Sequence, residues 1–193
     1  MKDSDIQTIP KILPKIQRKS EEIGFNMPSD VHIGTLLKTL IASKPGGRFL
    51  ELGTGIGLSL SWMVDGMDGE SRLITVDNDK ELIGIAKAHF GDDSRLEIRC
   101  QDGSQWIKEY DGDAFDLIFA DAWPGKYSEI DDILGLVKRG GFYVIDDMCV
   151  QPNWPEGHDK KAGDLIACLE QRNDFILTKL DWSTGLVIAV RRF

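Results

Sequence analysis

Apolar and polar residues follow two different periods along this chain, and the switches between them mark its elements. Residues 9–22 carry a weak helical pattern broken by Pro10 and Pro14, which lack backbone donors. Residues 29–43 carry a stronger one. Ser29 or Asp30 stands where an N-cap belongs, and Ile33, Leu36, Leu37, Leu40 and Ile41 share one face. Lys44-Pro45-Gly46-Gly47 then ends the segment. From there short apolar runs alternate with helical stretches. The runs are FLEL (49–52), RLITVD (72–77), RLEIRC (95–100), FDLIFA (115–120) and FYVID (142–146). The fourth is almost wholly apolar, as befits a strand covered on both faces. The helical stretches are 58–64, then 79–90 with Leu82, Ile83, Ala86 and Phe90 inward, then a short one through Tyr110, then 128–138. In the last, Ser128 and Asp131 spell a capping pattern and Gly140-Gly141 stop the helix. Ala162, Leu165, Ile166 and Leu169 mark one more helix. Two final runs, 175–182 and 186–192, are separated only by Ser183-Thr184-Gly185, a spacing that fits an antiparallel hairpin.

This order predicts an α/β fold: a Rossmann-like, seven-stranded mixed sheet of five parallel β-α units closed by an antiparallel β-hairpin, with helices on both faces. The whole chain, 1–193, reads as one domain, with residues 1–45 as a helical cover and 46–193 as the core. The stretch Arg48 to Leu58, RFLELGTGIGL, is its strand, glycine turn and helix start. Such a turn holds a nucleotide-like cofactor. A nicotinamide fingerprint needs a third glycine three residues after the second, and that position is Leu58, so the dinucleotide pattern fails. The five units and closing hairpin match the plan of class I methyltransferases, which use S-adenosylmethionine. Acids at successive strand ends agree with a ligand crevice there. Glu51 stands two residues before Gly53, and Asp77 ends the second strand, where a carboxylate can accept both ribose hydroxyls. Asp102 and Asp121 end the third and fourth.

Charge and composition narrow the partners. Of 193 residues, 41% are hydrophobic and 28% charged, and the net charge is −9, which argues against a nucleic-acid partner. The basic cluster Lys11 to Lys19 reads as a solvated helix face. No apolar run is long enough for a membrane span, and the N-terminal residues lack a signal peptide's features, so a cytoplasmic protein is expected. Cys100, Cys149 and Cys168 show no metal or redox spacing and are expected to be buried free thiols.

LELGTGIGLS (50–59), VDND (76–79), DLIFADAW (116–123), Lys126-Tyr127 and GGFYVIDD (140–147) together resemble the O-methyltransferases typified by the catechol and caffeoyl-CoA enzymes. QPNWPEGH (151–158), after Asp146-Asp147-Met148, is similar to a bacterial branch of that group. The resemblance implies methyl transfer from S-adenosyl-L-methionine to a hydroxyl of a small molecule. The alternatives are N-methyl transfer and a cofactor-binding protein without catalysis; a homodimer stays open. It implies that Glu51, Gly53 and Gly55 lie along the methionine part of the cofactor and that Gly57 serves tight packing. Asp77 would meet the ribose, Asp102 and Gly103 the adenine, and Met27 the sulfonium, with Thr54, Asn78, Asp121 and Trp123 also bordering the cofactor. Asp121, Asp146 and Asp147 fall on the family's Mg²⁺ positions, where a metal-held hydroxyl loses its proton more easily. Two positions depart from the pattern. The family's lysine base, three residues after Asp121, is Pro124 here, with Lys126 nearby as a replacement or a solvent-facing side chain. The family's Asp-Asn pair is Asp146-Asp147, and without a metal such carboxylates repel, so one with a raised pKa becomes a candidate base. His158 is a further candidate base or metal neighbour, or else part of a rigid loop with Trp154 between Pro152 and Pro155. Trp123 packs along the adenosine, the substrate or the core.

Overall fold

The computed structural model describes residue 6, residues 8–151 and residues 154–193. Pro152, the expected flank of Trp154, lies outside the described residues.

Two helices, α1 (Leu13–Ile23) and α2 (Val31–Ala42), precede the first strand. Pro14 falls in the first turn of α1, where a missing N–H costs no hydrogen bond, so it starts the helix instead of breaking it. Asp30 caps α2 by accepting the His32 N–H at 2.7 Å. Then follow β1 (Arg48–Leu52), α3 (Leu58–Gly66), β2 (Arg72–Asp77), α4 (Lys80–Phe90), β3 (Leu96–Cys100), α5 (Gly103–Glu109) and β4 (Phe115–Ala120). The chain goes on through α6 (Ile130–Gly135), β5 (Val137–Ile145), α7 (His158–Glu170), β6 (Phe175–Leu180) and β7 (Leu186–Arg191).

The strands form one seven-stranded sheet in the order β3-β2-β1-β4-β5-β7-β6. β1 to β5 pair in parallel, and β7 runs antiparallel to both β5 and β6. This is the expected mixed sheet with a closing hairpin. Its two faces bury separate apolar layers, because alternate residues of each strand point to opposite sides. On one face Phe49, Leu117, Phe119 and Val144 meet Ile33, Leu37, Leu60 and Phe90 of α2, α3 and α4. On the other, Leu50, Ile118, Tyr143 and Ile145 meet Trp106, Ile133, Leu134 and Leu165 of α5, α6 and α7. α2 crosses α3 at close range: a Cβ on Gly34 would lie 2.3 Å from the Trp62 ring.

Two local expectations change. The helix expected over 128–138 is only α6, and it begins without the Ser128 cap. Glu129, at φ 51°, occupies the N-cap with no side-chain hydrogen bond there. The freed residues from Val137 onward join β5, which accommodates the Gly140 kink (φ 71°) through a register shift against β4 between Phe115 and Leu117. The three thiols are unpaired as expected, but Cys100 and Cys168 are exposed and Cys149 is half-buried. Cys100 ends β3, an edge strand that pairs with β2 on one side and has no strand on the other. Among the described residues no helix is long and apolar enough to cross a membrane.

Strand order reverses between β1 and β4, which leave side by side in opposite winding directions. A crevice outside the carboxyl ends of the strands follows from that topology.

Candidate active site

The crevice begins at the glycine turn after β1. Gly53, Gly55 and Gly57 all have positive φ, at 101°, 50° and 97°. At Gly53 a second constraint applies. A Cβ there would lie 2.8 Å from the Asp121 carbonyl oxygen, so the turn and the loop after β4 pass backbone against backbone. Asp77, at the end of β2, ties the turn down: its Oδ2 accepts the Gly55 N–H at 2.8 Å and its Oδ1 accepts the Asp79 N–H at 2.9 Å.

Over this turn lies a cavity of about 640 Å³. That volume is of the size that holds a small ligand or cofactor. Gly53, Thr54, Gly55, Asp77 and Asn78 line one end; Asp121, Trp123, Lys126, Asp146, Asp147 and His158 line the other, with Met27 on the connecting segment between α1 and α2. The structure thus brings most of the expected site residues to one cavity.

Four expected residues do not line it. Glu51 is completely buried under the turn, where its two oxygens accept the Ser59 and Thr75 hydroxyls, each at 2.6 Å. Burial pushes its carboxyl up to about 7, against the lowering effect of those two hydroxyls, with Asp77 adding a smaller rise. Gly57 gives room to the Phe90 ring. Asp102 caps α5 by accepting the Gln105 N–H at 2.9 Å, and Gly103 packs against Pro124.

Ser29, Tyr127 and Thr184 also line the cavity and were not among the expected site residues. Ser29 Oγ donates to Asp121 Oδ2 at 3.3 Å. Thr184 Oγ1 donates to Asp146 Oδ1 at 2.5 Å, from the turn between β6 and β7. No local sequence signal marks either, because each arrives by tertiary packing. Tyr127 had one signal, its place directly after Lys126.

Lys126 does not face solvent. It is only 4% exposed, and its Nζ donates to the Asp146 carbonyl at 2.6 Å and the Asp147 carbonyl at 3.3 Å. Burial raises the carboxyls of both Asp121 and Asp146; Asp146 raises that of Asp121 further and the Lys126 charge opposes. The loop carrying Lys126 is itself anchored, since the buried Tyr143 hydroxyl donates to the Gly125 carbonyl.

The carboxylates as arranged do not fit a divalent-metal centre. Among the described residues no three acidic, imidazole or thiol side chains stand together so as to hold one ion. One oxygen of each already serves a protein donor: besides Asp121 Oδ2, Asp146 Oδ1 also accepts the Asp147 N–H at 2.6 Å, and Asp147 Oδ2 accepts Trp154 Nε1–H at 2.9 Å.

His158 begins α7 and is 7% exposed. Its Nε2 lies 3.0 Å from the Tyr127 hydroxyl, and its buried Nδ1 has no hydrogen-bond partner. Trp123 meets Tyr127 and His158 edge to face, at 5.8 and 5.9 Å between centroids, and Trp154 lies 4.4 Å from the imidazole. Trp123 is half exposed, so it lines the mouth and does not belong to the core. Lys161 Nζ stands 3.9 Å over its ring.

With this geometry in view, the chain matches the model of a family described as O-methyltransferase over residues 5–177. A Mycobacterium leprae relative, an O-methyltransferase by name only, is 32% identical over 117 residues, or 58% of this chain and 52% of its own length. The chain thus spans about half the length of that curated relative. Among solved structures, the O-methyltransferase TomG of Streptomyces achromogenes, in complex with S-adenosylmethionine, superposes with a TM-score of 0.86 at 20% identity, covering 99% of this chain and 94% of TomG. An O-methyltransferase of Bacillus cereus in complex with S-adenosylhomocysteine gives 0.83 at 18% identity, covering 98% and 94%. At these identities the likeness is one of fold.

Proposed function

This chain belongs to the O-methyltransferase family, and on that footing we propose that it transfers the methyl group of S-adenosylmethionine to a hydroxyl of a small molecule. The observation that carries the proposal is the cavity itself. One end is bare glycine backbone held by a carboxylate, and the other end is acidic and aromatic. The first suits an adenosyl-methionine moiety and the second a hydroxylated acceptor.

The donor, when bound, supplies a methyl group made electrophilic by its attachment to a sulfonium. The chain's own residues bind and orient. Asp77 accepts the ribose hydroxyls, since each of its oxygens carries one backbone N–H and keeps a lone pair. Asn78 borders the same end. Gly53, Thr54 and Gly55 let the methionine portion approach the backbone closely. Met27, 67% exposed, borders the same cavity from the α1–α2 connection. Asp121 faces the transfer point, where a sulfonium offsets the repulsion among the buried carboxyls. Lys126 holds the ends of β4 and β5 together and has no free lone pair while its ammonium donates to two carbonyls. Catalysis then consists largely of holding acceptor oxygen, methyl carbon and sulfur in line. No step passes through a metal ion, because the carboxylates do not form a centre for one.

Calorimetry with S-adenosylhomocysteine tests the cofactor end. Binding is expected for the native chain and at least tenfold weaker binding for Asp77→Ala, which removes two ribose hydrogen bonds at roughly 1 kcal/mol or more each. Undiminished binding in that variant removes Asp77 from the role. A labelled-methyl screen over hydroxylated acceptors tests the other end.

A further inference from the structure

The acceptor hydroxyl must lose a proton, and the residues that serve this purpose by resemblance are not placed to take it. Pro124 stands at the lysine position. Lys126 is buried and donates to two carbonyls. We propose that Tyr127 and His158 form the proton acceptor, with the Tyr127 hydroxyl facing the substrate and His158 behind it. This rests on the proposed methyl transfer and adds the residues that make the acceptor oxygen nucleophilic.

The geometry orders the pair. Both residues line the cavity. The Tyr127 hydroxyl and His158 Nε2 are 3.0 Å apart, within the range for direct proton transfer. With Tyr127 as donor, Nε2 is the accepting atom and Nδ1 keeps its own proton in a buried position without a partner. Substrate therefore does not reach Nδ1 and meets the tyrosine. Three aromatic rings, Trp123, Tyr127 and Trp154, fix the imidazole by edge and tilted contacts. The balance of the step is complete. The acceptor oxygen gains the methyl carbon, and the carbon–sulfur bond of the donor breaks with its electron pair left on sulfur. The hydroxyl proton passes to Tyr127 as the proton of Tyr127 passes to Nε2. His158 ends as an imidazolium and releases the proton after product leaves.

The surroundings keep the imidazole neutral beforehand. Burial lowers its pKa first, Lys126 from the loop after β4 lowers it further, and Lys161 of its own helix does the same. Asp147, from the end of β5, and Asp159 oppose them. A neutral imidazole is the form that can accept a proton.

Two arms test the pair in the full-length protein saturated with S-adenosylhomocysteine or with donor. Side-chain nitrogen resonances of His158, assigned by their loss in His158→Gln, are expected to report an Nδ1–H tautomer whose Nε2 shift moves in Tyr127→Phe. In the transfer assay with catechol, phenolic acids, hydroxy acids and sugars, Tyr127→Phe and His158→Gln are each expected to lower kcat about 100-fold. Both are also expected to keep S-adenosylhomocysteine affinity and to lose the rise of kcat through the histidine titration. An unmoved Nε2 shift in Tyr127→Phe overturns the pair, and so does native kcat in either variant. Loss of S-adenosylhomocysteine binding in both variants overturns it too, by assigning the residues to cofactor binding. If the native chain methylates nothing in the panel, that failure belongs to the proposed function, and the resonance arm still decides the pair.

Discussion

Glu51 is a carboxyl placed inside a parallel sheet, and its position makes stability depend on pH. Its pKa rises to about 7 because burial disfavours the charged form more than the Ser59 and Thr75 hydroxyls favour it. The folded chain therefore holds a proton that the unfolded chain releases near 4.5. The resulting stabilisation is complete below that value, falls as pH climbs toward 7, and is flat above it. The span corresponds to about 3 kcal/mol. Glu51→Gln is expected to flatten the decline in unfolding free energy between pH 5 and pH 8 in urea titrations; an unchanged slope would show that Glu51 is not the titrating group. The raised carboxyls of Asp121 and Asp146 act in the same direction, so the slope shrinks without vanishing. The sequence displayed Glu51 beside the glycines and suggested contact with a ligand. Its true partner Thr75 sits directly across the sheet, in register on β2, and register is not visible in one strand alone.

Elements were more legible than residues. All seven strands followed from short apolar runs, and the closing hairpin followed from the three residues between its strands. Helix ends were legible where a side chain caps them, as Asp30 and Asp79 do. They were not legible where tertiary structure overrides the local pattern. Residues 137–141 look like the end of a helix, yet the open side of β4 captures them as strand. The crossing of α2 on α3 left no pattern at all. Gly34 reads as a mild defect in a helix, while in the fold its missing side chain is the space that Trp62 fills. Gly34→Ala therefore forces the Trp62 ring or the helix to move. It is expected to destabilise by about 1–3 kcal/mol in spite of the better helix propensity of alanine. Chemical denaturation reads this directly, and a stabilised variant would show that the helices are not closely packed there.

At the scale of the whole molecule the site is an assembly of distant segments. The α1–α2 connection, the turn after β1, the ends of β2, β4 and β5, the start of α7 and the β6–β7 turn all reach one cavity. Sequence motifs marked the proposed cofactor end, because its glycines and Asp77 lie close together along the chain. The proposed acceptor end depends on Lys126, Tyr127, His158 and Thr184, whose joint placement no single motif encodes. Charge balance there leads to a further expectation. The Lys126 charge lies close to the carboxyls and one oxygen of each accepts a protein donor, so excess chelator is expected to leave methyl transfer unchanged; activity lost to chelator and regained with Mg²⁺ would refute this.

The position of β7 also bears on how the fold is made. β7 is inserted between β5 and β6, although β6 precedes it in the chain. During synthesis on a ribosome, β6 emerges with no strand to pair with, and the flank of β5 stays open until β7 arrives. The sheet cannot close in the order in which it is made. Thr184, which steadies Asp146, comes into place only with that last step. The proposed acceptor end is thus assembled after the glycine-turn end, and a nascent chain held short of residue 186 would present β5 as an unprotected edge to its neighbours.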